Sequence, residues 1–112
     1  MDALVLYDEE LTEMPDTPST DTDFEICRNV AQLVPDRACI QIGHVPSVIW
    51  KCLEDHKDLG VHSEMISDGF LNLYEKGVVT NKYKEIHTGF SLCSYVQGSK
   101  VMFHHFFPVD FI

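Results

Sequence analysis

Two short stretches of this chain combine residue types that do chemistry with residues that shape a binding loop. The first is HKDLGVHSEMISDG at residues 56–69. His62 and Glu64 stand two apart, just after Leu59 and Val61, a spacing that puts both side chains on one face at the end of a strand. An imidazole and a carboxylate so placed suit acid–base work, and Glu64 alone could orient a ligand. Glu64 and Asp68 suit equally the plainer task of satisfying backbone donors. Ser67 or Asp68 can cap the helix that follows, whose N-terminus would then point into the same crevice. The second stretch is Gly43-His44-Val45-Pro46. Glycine lets a backbone come close to a ligand, and a following helix N-terminus favours an anion. The same four residues also make an ordinary strand-to-helix turn.

Other chemistries fit less well. The histidines at 44, 56, 62, 87, 104 and 105 include no pair at helical i, i+4 spacing, and no HExxH occurs, so a zinc site is not expected. Cys27, Cys39, Cys52 and Cys93 form no CxxC pair and sit in apolar contexts, which reads as buried thiols in a reducing compartment. Cys93 lies in an apparent strand interior and reads as core, not as a nucleophile. The formal net charge of −10, from 18 acidic and 8 basic residues, repels phosphate backbones and argues against a nucleic-acid partner. It leaves room for one local phosphate site. Much of the acid, from Asp8 to Glu25, lies near the N-terminus and reads as a solvated linker. No apolar run is long enough to span a bilayer, so no membrane partner is expected. The N-terminus carries neither a signal-peptide nor a transit-peptide pattern.

The elements that must position these residues alternate between strand and helix. Residues 3–7 read as a short strand and residues 8–22, with Pro15 and Pro18, as a linker. A helix is predicted over 23–34, capped by Asp21 or Thr22, with Cys27, Val30, Ala31 and Val34 on its apolar face. ACIQI at 38–42 reads as a strand. Pro46 opens a helix to about Leu53, with Val48, Ile49, Cys52 and Leu53 facing the core. A second strand covers 59–62. A helix over 68–76 turns Leu71 and Tyr74 inward and ends at Gly77. Residues 81–84 suit a turn, 90–96 a strand, 98–105 a short helix and 106–111 a final strand. This order predicts an α/β fold with a parallel sheet, whose ligands sit beyond the C-terminal ends of the strands.

Gln41-Ile42-Gly43, Pro46, the run at 56–69, and EKGVVTNK at 75–82 together resemble the acetyl-CoA hydrolase/transferase family, which includes 4-hydroxybutyrate, butyrate and acetate CoA-transferases. The resemblance runs from about Ile26 to the C-terminus. It implies two related α/β domains, of which residues 1–22 would be the end of the first plus an acidic linker and residues 23–112 part of the second. It implies transfer of coenzyme A between an acyl-CoA and a short-chain carboxylate, or hydrolysis of acetyl-CoA. A glutamate attacks the thioester, and backbone donors stabilise the oxyanion. Coenzyme A thioester would be substrate, with no bound cofactor and no metal. The compartment would be cytoplasmic or mitochondrial.

On the positions that match, Gly43, Pro46, His62, Glu64, Asp68 and Gly69 are expected to shape the crevice for acyl-CoA and carboxylate. No glutamate of this chain is assigned as nucleophile: the resemblance implies that the nucleophile and a later glycine-rich loop lie beyond Ile112. Two departures stand out. The family loop reads Ile-Gly-x-Gly-x-x-Pro, whereas Ile42-Gly43-His44-Val45-Pro46 is two residues shorter and lacks the second glycine. The stretch between Gly98 and Phe107 is also shorter than the family's. The expectation is therefore a catalytically incomplete member, prone to marginal solubility or homo-oligomerisation when expressed alone because a partial sheet exposes an edge. The alternative is a non-catalytic paralogue that binds coenzyme A or pairs with an intact subunit, and a third reading is an unrelated α/β binding module.

Overall fold

A computed structural model describes residues 3–15, 17–43 and 45–106. The elements are α1 (Asp21–Leu33), β1 (Cys39–Ile40), α2 (Ile49–Cys52), β2 (Gly60–Val61), β3 (Met65–Ile66), α3 (Asp68–Glu75), β4 (Tyr95–Val96) and α4 (Lys100–Phe106). The α/β class is the one the sequence predicts, with β3 added between the expected strand at 59–62 and helix α3 and no strand at residues 3–7, and every strand pair is parallel. β1 pairs with β2, Cys39 opposite Gly60 and Ile40 opposite Val61. β3 pairs with β4, Met65 opposite Tyr95 and Ile66 opposite Val96. Isolated parallel bridges join Leu59 to Val79 and His62 to Leu92. Residues 59–66 therefore run between neighbours on both sides.

Helix α1 starts one turn-defining residue earlier than the expected cap. Thr20 is its N-cap: Thr20 Oγ1 accepts from Asp23 N at 3.2 Å, and Asp23 Oδ2 accepts from Thr20 N at 2.8 Å. A reciprocal capping box satisfies two orphan donors, which neither Asp21 nor Thr22 could do alone. Pro35 stops the helix by disfavouring helical geometry at Val34. Its last carbonyls are met from a distance. His56 Nε2 lies 2.9 Å from Val34 O and 3.1 Å from Ala31 O, and since both partners are acceptors the proton is on Nε2.

The core gathers Cys27 and Ala31 of α1, Val48, Ile49, Trp50 and Leu53 around α2, Leu59, Val61 and Ile66 of the central strand, Phe70 and Leu73 of α3, and Met102 of α4. Burying a leucine or phenylalanine of this kind contributes roughly 1.5–3 kcal/mol. Several expectations shift here. Tyr74 is 49% exposed, and Phe70 and Leu73 take the inward positions beside Leu71. Val30 is 45% exposed, so the buried face of α1 is narrower than its apolar pattern. The helix after Pro46 is a single turn beginning at Ile49, with a preceding turn in which Pro46 O accepts from Ile49 N. Residues 3–7 are exposed and form no strand among the described residues. The final strand expected at 106–111 falls, apart from Phe106 in α4, outside the described residues, as does His44.

Candidate functional site

The strand ends converge on a cleft of about 840 Å³. Gly43 follows β1, Ser67 to Gly69 follow β3, and Gln97 and Gly98 follow β4, so its floor is built from the C-terminal ends of parallel strands. Residues of the N-terminal linker, Met14, Pro15 and Thr17, form part of its wall. Three contacts hold that linker down. Met14 N donates to Gly98 O at 3.2 Å, Lys100 N donates to Glu13 Oε2 at 3.3 Å, and Lys100 Nζ pairs with Glu10 Oε2 at 2.8 Å. Hydrogen bonding to Lys100, then its charge, holds the Glu10 carboxyl below the usual range, and the same bond pushes the Lys100 ammonium up.

Four of the expected crevice residues line this cleft: Gly43, Pro46, Asp68 and Gly69. Their local roles are legible. A Cβ at Gly43 would meet nothing within 4 Å, so the glycine opens space there without being sterically required. Gly69 is required: a Cβ would stand 2.1 Å from Trp50 Cδ1. The buried Trp50 indole donates from Nε1 to Ser67 Oγ at 3.1 Å. Ser67 does occupy the N-cap of α3, but its hydroxyl serves the tryptophan and makes no cap bond. Asp68 turns away from its own helix end. Its Oδ1 accepts from Ser99 Oγ at 2.6 Å and its Oδ2 from Ser99 N at 2.9 Å, fixing the turn into α4.

His62 and Glu64 do not line the cleft. They flank the buried Ser63 and are both exposed, as alternation along a strand requires. The His62 ring meets the His87 ring edge to face, centroids 6.4 Å apart. The Glu64 carbonyl accepts from Ser94 N at 2.9 Å and Tyr95 N at 3.1 Å, which clamps the backbone. Its carboxylate has no hydrogen-bond or ion-pair partner among the described residues. Ser63 secures the other edge: its hydroxyl donates to Ile42 O at 2.9 Å and accepts from Ile42 N at 3.2 Å.

Sequence reasoning missed two buried polar residues beside this segment, Asn81 and Lys84, 2% and 6% exposed. In sequence they belong to a polar turn, and nothing in the run TNKYK distinguishes a buried lysine from a solvated one. Of the four thiols expected to be buried only Cys27 is. Cys52 and Cys93 are half-buried against the core and Cys39, on the two-residue strand β1, is exposed, while burial pushes the pKa of Cys27 and Cys93 up. Among the described residues no group of three or more His, Cys, Asp or Glu side chains could hold a metal ion, and no helix is long and apolar enough to cross a membrane.

A parallel α/β sheet with a ligand-sized cleft beyond its strand ends defines an α/β protein of the kind that places small-molecule sites at those ends. The particular family follows from its relatives. The chain is 35% identical over 92% of its length to the 4-hydroxybutyrate coenzyme A transferase of Clostridium kluyveri, covering 24% of that protein. It is 30% identical over its whole length to the succinyl-CoA:cyclohexane-1-carboxylate CoA transferase of Geobacter metallireducens, covering 28% of that protein. The crystal structure of 4-hydroxybutyrate CoA-transferase from Porphyromonas gingivalis superposes with a TM-score of 0.81 at 32% identity, over 88% of this chain and 26% of that one. The chain belongs, over this span, to the CoA-transferase family. No protein-family model matches it. It spans about a quarter of the length of the curated relatives it matches, 28% and 24%.

Proposed function

We propose that these residues form part of an acyl-CoA:carboxylate CoA-transferase, or of an acetyl-CoA hydrolase built on the same frame. Coenzyme A thioester and a short-chain carboxylate would be the reactants, and no resident cofactor would be needed. The observation that carries this reading is the cleft at the strand ends, lined by Gly43, Pro46, Asp68 and Gly69, in a chain of this family. In the reaction a carboxylate oxygen attacks the thioester carbonyl, the C–S bond breaks, and the coenzyme A thiolate leaves an acyl anhydride on the enzyme. The thiolate then attacks the enzyme carbonyl and expels the acyl carboxylate. The acceptor carboxylate attacks this enzyme thioester, displacing the thiolate as a new anhydride forms. The thiolate attacks the acceptor's carbonyl in that anhydride to release acceptor-CoA and the free enzyme carboxylate. A hydrolase lets water take the acyl group instead.

Because the chain covers about a quarter of its relatives' length, we further propose that the 112 residues alone do not complete this turnover. On the family resemblance alone, the attacking glutamate would lie beyond Ile112. A second reading has a specific observation in its favour. Glu64 presents an unpartnered, exposed carboxylate on a backbone clamped by Ser94 and Tyr95, at the end of a parallel strand. A carboxylate whose lone pairs are unengaged and whose backbone is held is available to attack, which makes Glu64 itself the candidate attacker.

The test is acetyl-CoA turnover, with and without acetate or butyrate, by the 112 residues and by the full-length protein, each with and without Glu64→Gln. Turnover by the full-length protein that Glu64→Gln abolishes supports Glu64 as nucleophile. Turnover that survives the substitution places the attacking carboxylate elsewhere. Coenzyme A binding without turnover by the full-length protein would instead fit a non-catalytic, coenzyme A-binding paralogue.

A further inference from the structure

The strand beside residues 59–66 is interrupted. It pairs at Val79, leaves the sheet, and returns at Leu92. Across the gap the Val61 carbonyl still accepts from Leu92 N at 3.0 Å, but the Val61 amide meets no backbone acceptor among the described residues. Two side chains from the excursion reach Val61, one supplying the missing acceptor and one adding a second donor to its carbonyl. Asn81, held at φ +58, accepts from Val61 N through Oδ1 at 2.9 Å. Lys84 Nζ donates to Val61 O at 2.9 Å and to Phe90 O at 2.6 Å. Asn81 Nδ2 is anchored in turn by Ser91 Oγ at 2.9 Å. Asparagine tolerates the left-handed region, so the amide can turn back onto the strand.

The Lys84 ammonium has no carboxylate within salt-bridge distance among the described residues. A buried cation bonded only to carbonyls is costly, and an apolar residue would fill the same space more cheaply. The lysine stem is also fitted, since a Cβ at Gly60 would lie 2.6 Å from Lys84 Cγ. What the pair secures is the backbone of Val61, immediately ahead of His62, Ser63 and Glu64. With Ser63 tied to Ile42 on the opposite edge, side chains brace the segment from both sides, Asn81 at an amide that has no backbone acceptor and Lys84 at a carbonyl that Leu92 N also reaches.

We propose that Lys84, with Asn81, is a positioning residue for the carboxylate of Glu64, acting through the backbone of Val61. The inference rests on the reading of Glu64 as part of the reacting site. It predicts that loosening the brace lowers the rate of the chemical step and leaves substrate affinity alone, because small misplacement of a reacting group costs rate.

In the full-length protein, Lys84→Met should lower kcat for acetyl-CoA turnover with acetate, on the order of 100-fold, with KM for acetyl-CoA within about twofold, and Lys84→Arg should recover part of the loss. Amide hydrogen exchange at Val61 to Glu64 should quicken in Lys84→Met. If Lys84→Met does not fold, Ser91→Ala carries the same test, with a several-fold loss in kcat expected. Unchanged kcat in a folded variant, or a change confined to KM, overturns the proposal. If the wild-type protein shows no turnover, the functional reading fails first. The positioning role falls with it, and exchange at Val61 to Glu64 in Lys84→Met then reports only whether the brace holds the strand.

Discussion

Gly69 lies directly under the indole of Trp50, so close that a Cβ on residue 69 would stand 2.1 Å from Trp50 Cδ1 and 2.7 Å from Trp50 Cβ. The second distance matters most, because Cβ moves only with the backbone. Trp50 cannot swing aside either: it is buried and its Nε1 is bonded to Ser67. Gly69→Ala is therefore expected to destabilise the chain by about 1–3 kcal/mol, as overpacking does. Thermal melts check this, with a shift of about 4–8 °C per kcal/mol expected for a domain of this size. A melting temperature equal to wild type would mean that the α2–α3 contact is looser than its geometry.

Asp68 should behave as a structural acceptor for the turn into α4. Removing it in Asp68→Ala leaves Ser99 N and Ser99 Oγ without their charged partner, a loss of about 1.5–3 kcal/mol per such bond at most. Asp68→Asn, which keeps one acceptor oxygen, should retain part of that stability. Denaturant titration of both variants reads the difference. If ligand affinity falls far more than stability, Asp68 also contacts the ligand that fills the cleft.

His56 joins the end of α1 to the turn before β2. Its Nε2 serves two carbonyls, while its Nδ1 is buried with no partner among the described residues. His56→Ala removes the donor and leaves the Ala31 and Val34 carbonyls half-buried, so a loss of about 1–3 kcal/mol is expected. Amide exchange localised to the last turn of α1 distinguishes this from a general loosening.

The α1 cap carries a pH dependence. Hydrogen bonds from the Thr20 backbone, then from the Thr20 hydroxyl, hold the Asp23 carboxyl below the usual aspartate range. Because the folded-state pKa is the lower one, its contribution is complete above the unfolded value. It is lost as pH falls through the folded value. Asp23→Asn should therefore lower the melting temperature near neutral pH and narrow its gap to wild type as the solution is acidified below the aspartate range. A gap independent of pH would show that the carboxylate charge contributes nothing to the cap.

Helices were legible where apolar spacing and end signals agreed. Cys27 and Ala31 of α1, and Leu71 with Gly77 after α3, sit where their pattern and cap chemistry put them. Tyr74 was misread because a pattern reports which residues are apolar, and two neighbours, Phe70 and Leu73, competed for the same face. β3 was read as loop because Met65 and Ile66 are only a two-residue strand, and their pairing with Tyr95 and Val96 is nonlocal. Of the candidate site, Gly43, Pro46, Asp68 and Gly69 were legible as two loops that follow strands. That they meet at one cleft while His62 and Glu64 stand off it was not, since pleat direction depends on register, and register on the partner strand.

From the sequence alone follow the α/β class, the parallel sense of the strands and the kinship with CoA-transferases, because local periodicity and a long ordered motif survive without knowledge of contacts. Only the tertiary structure decided which polar residues are buried. Asn81, Lys84 and Ser63 are short-range ambiguous, equally at home in a solvated turn. Asn81 and Ser63 became fixed parts of the sheet because strand pairing left the Val61 amide and the Ile42 backbone to find partners away from water, and Lys84 joined them as a second donor to the Val61 carbonyl.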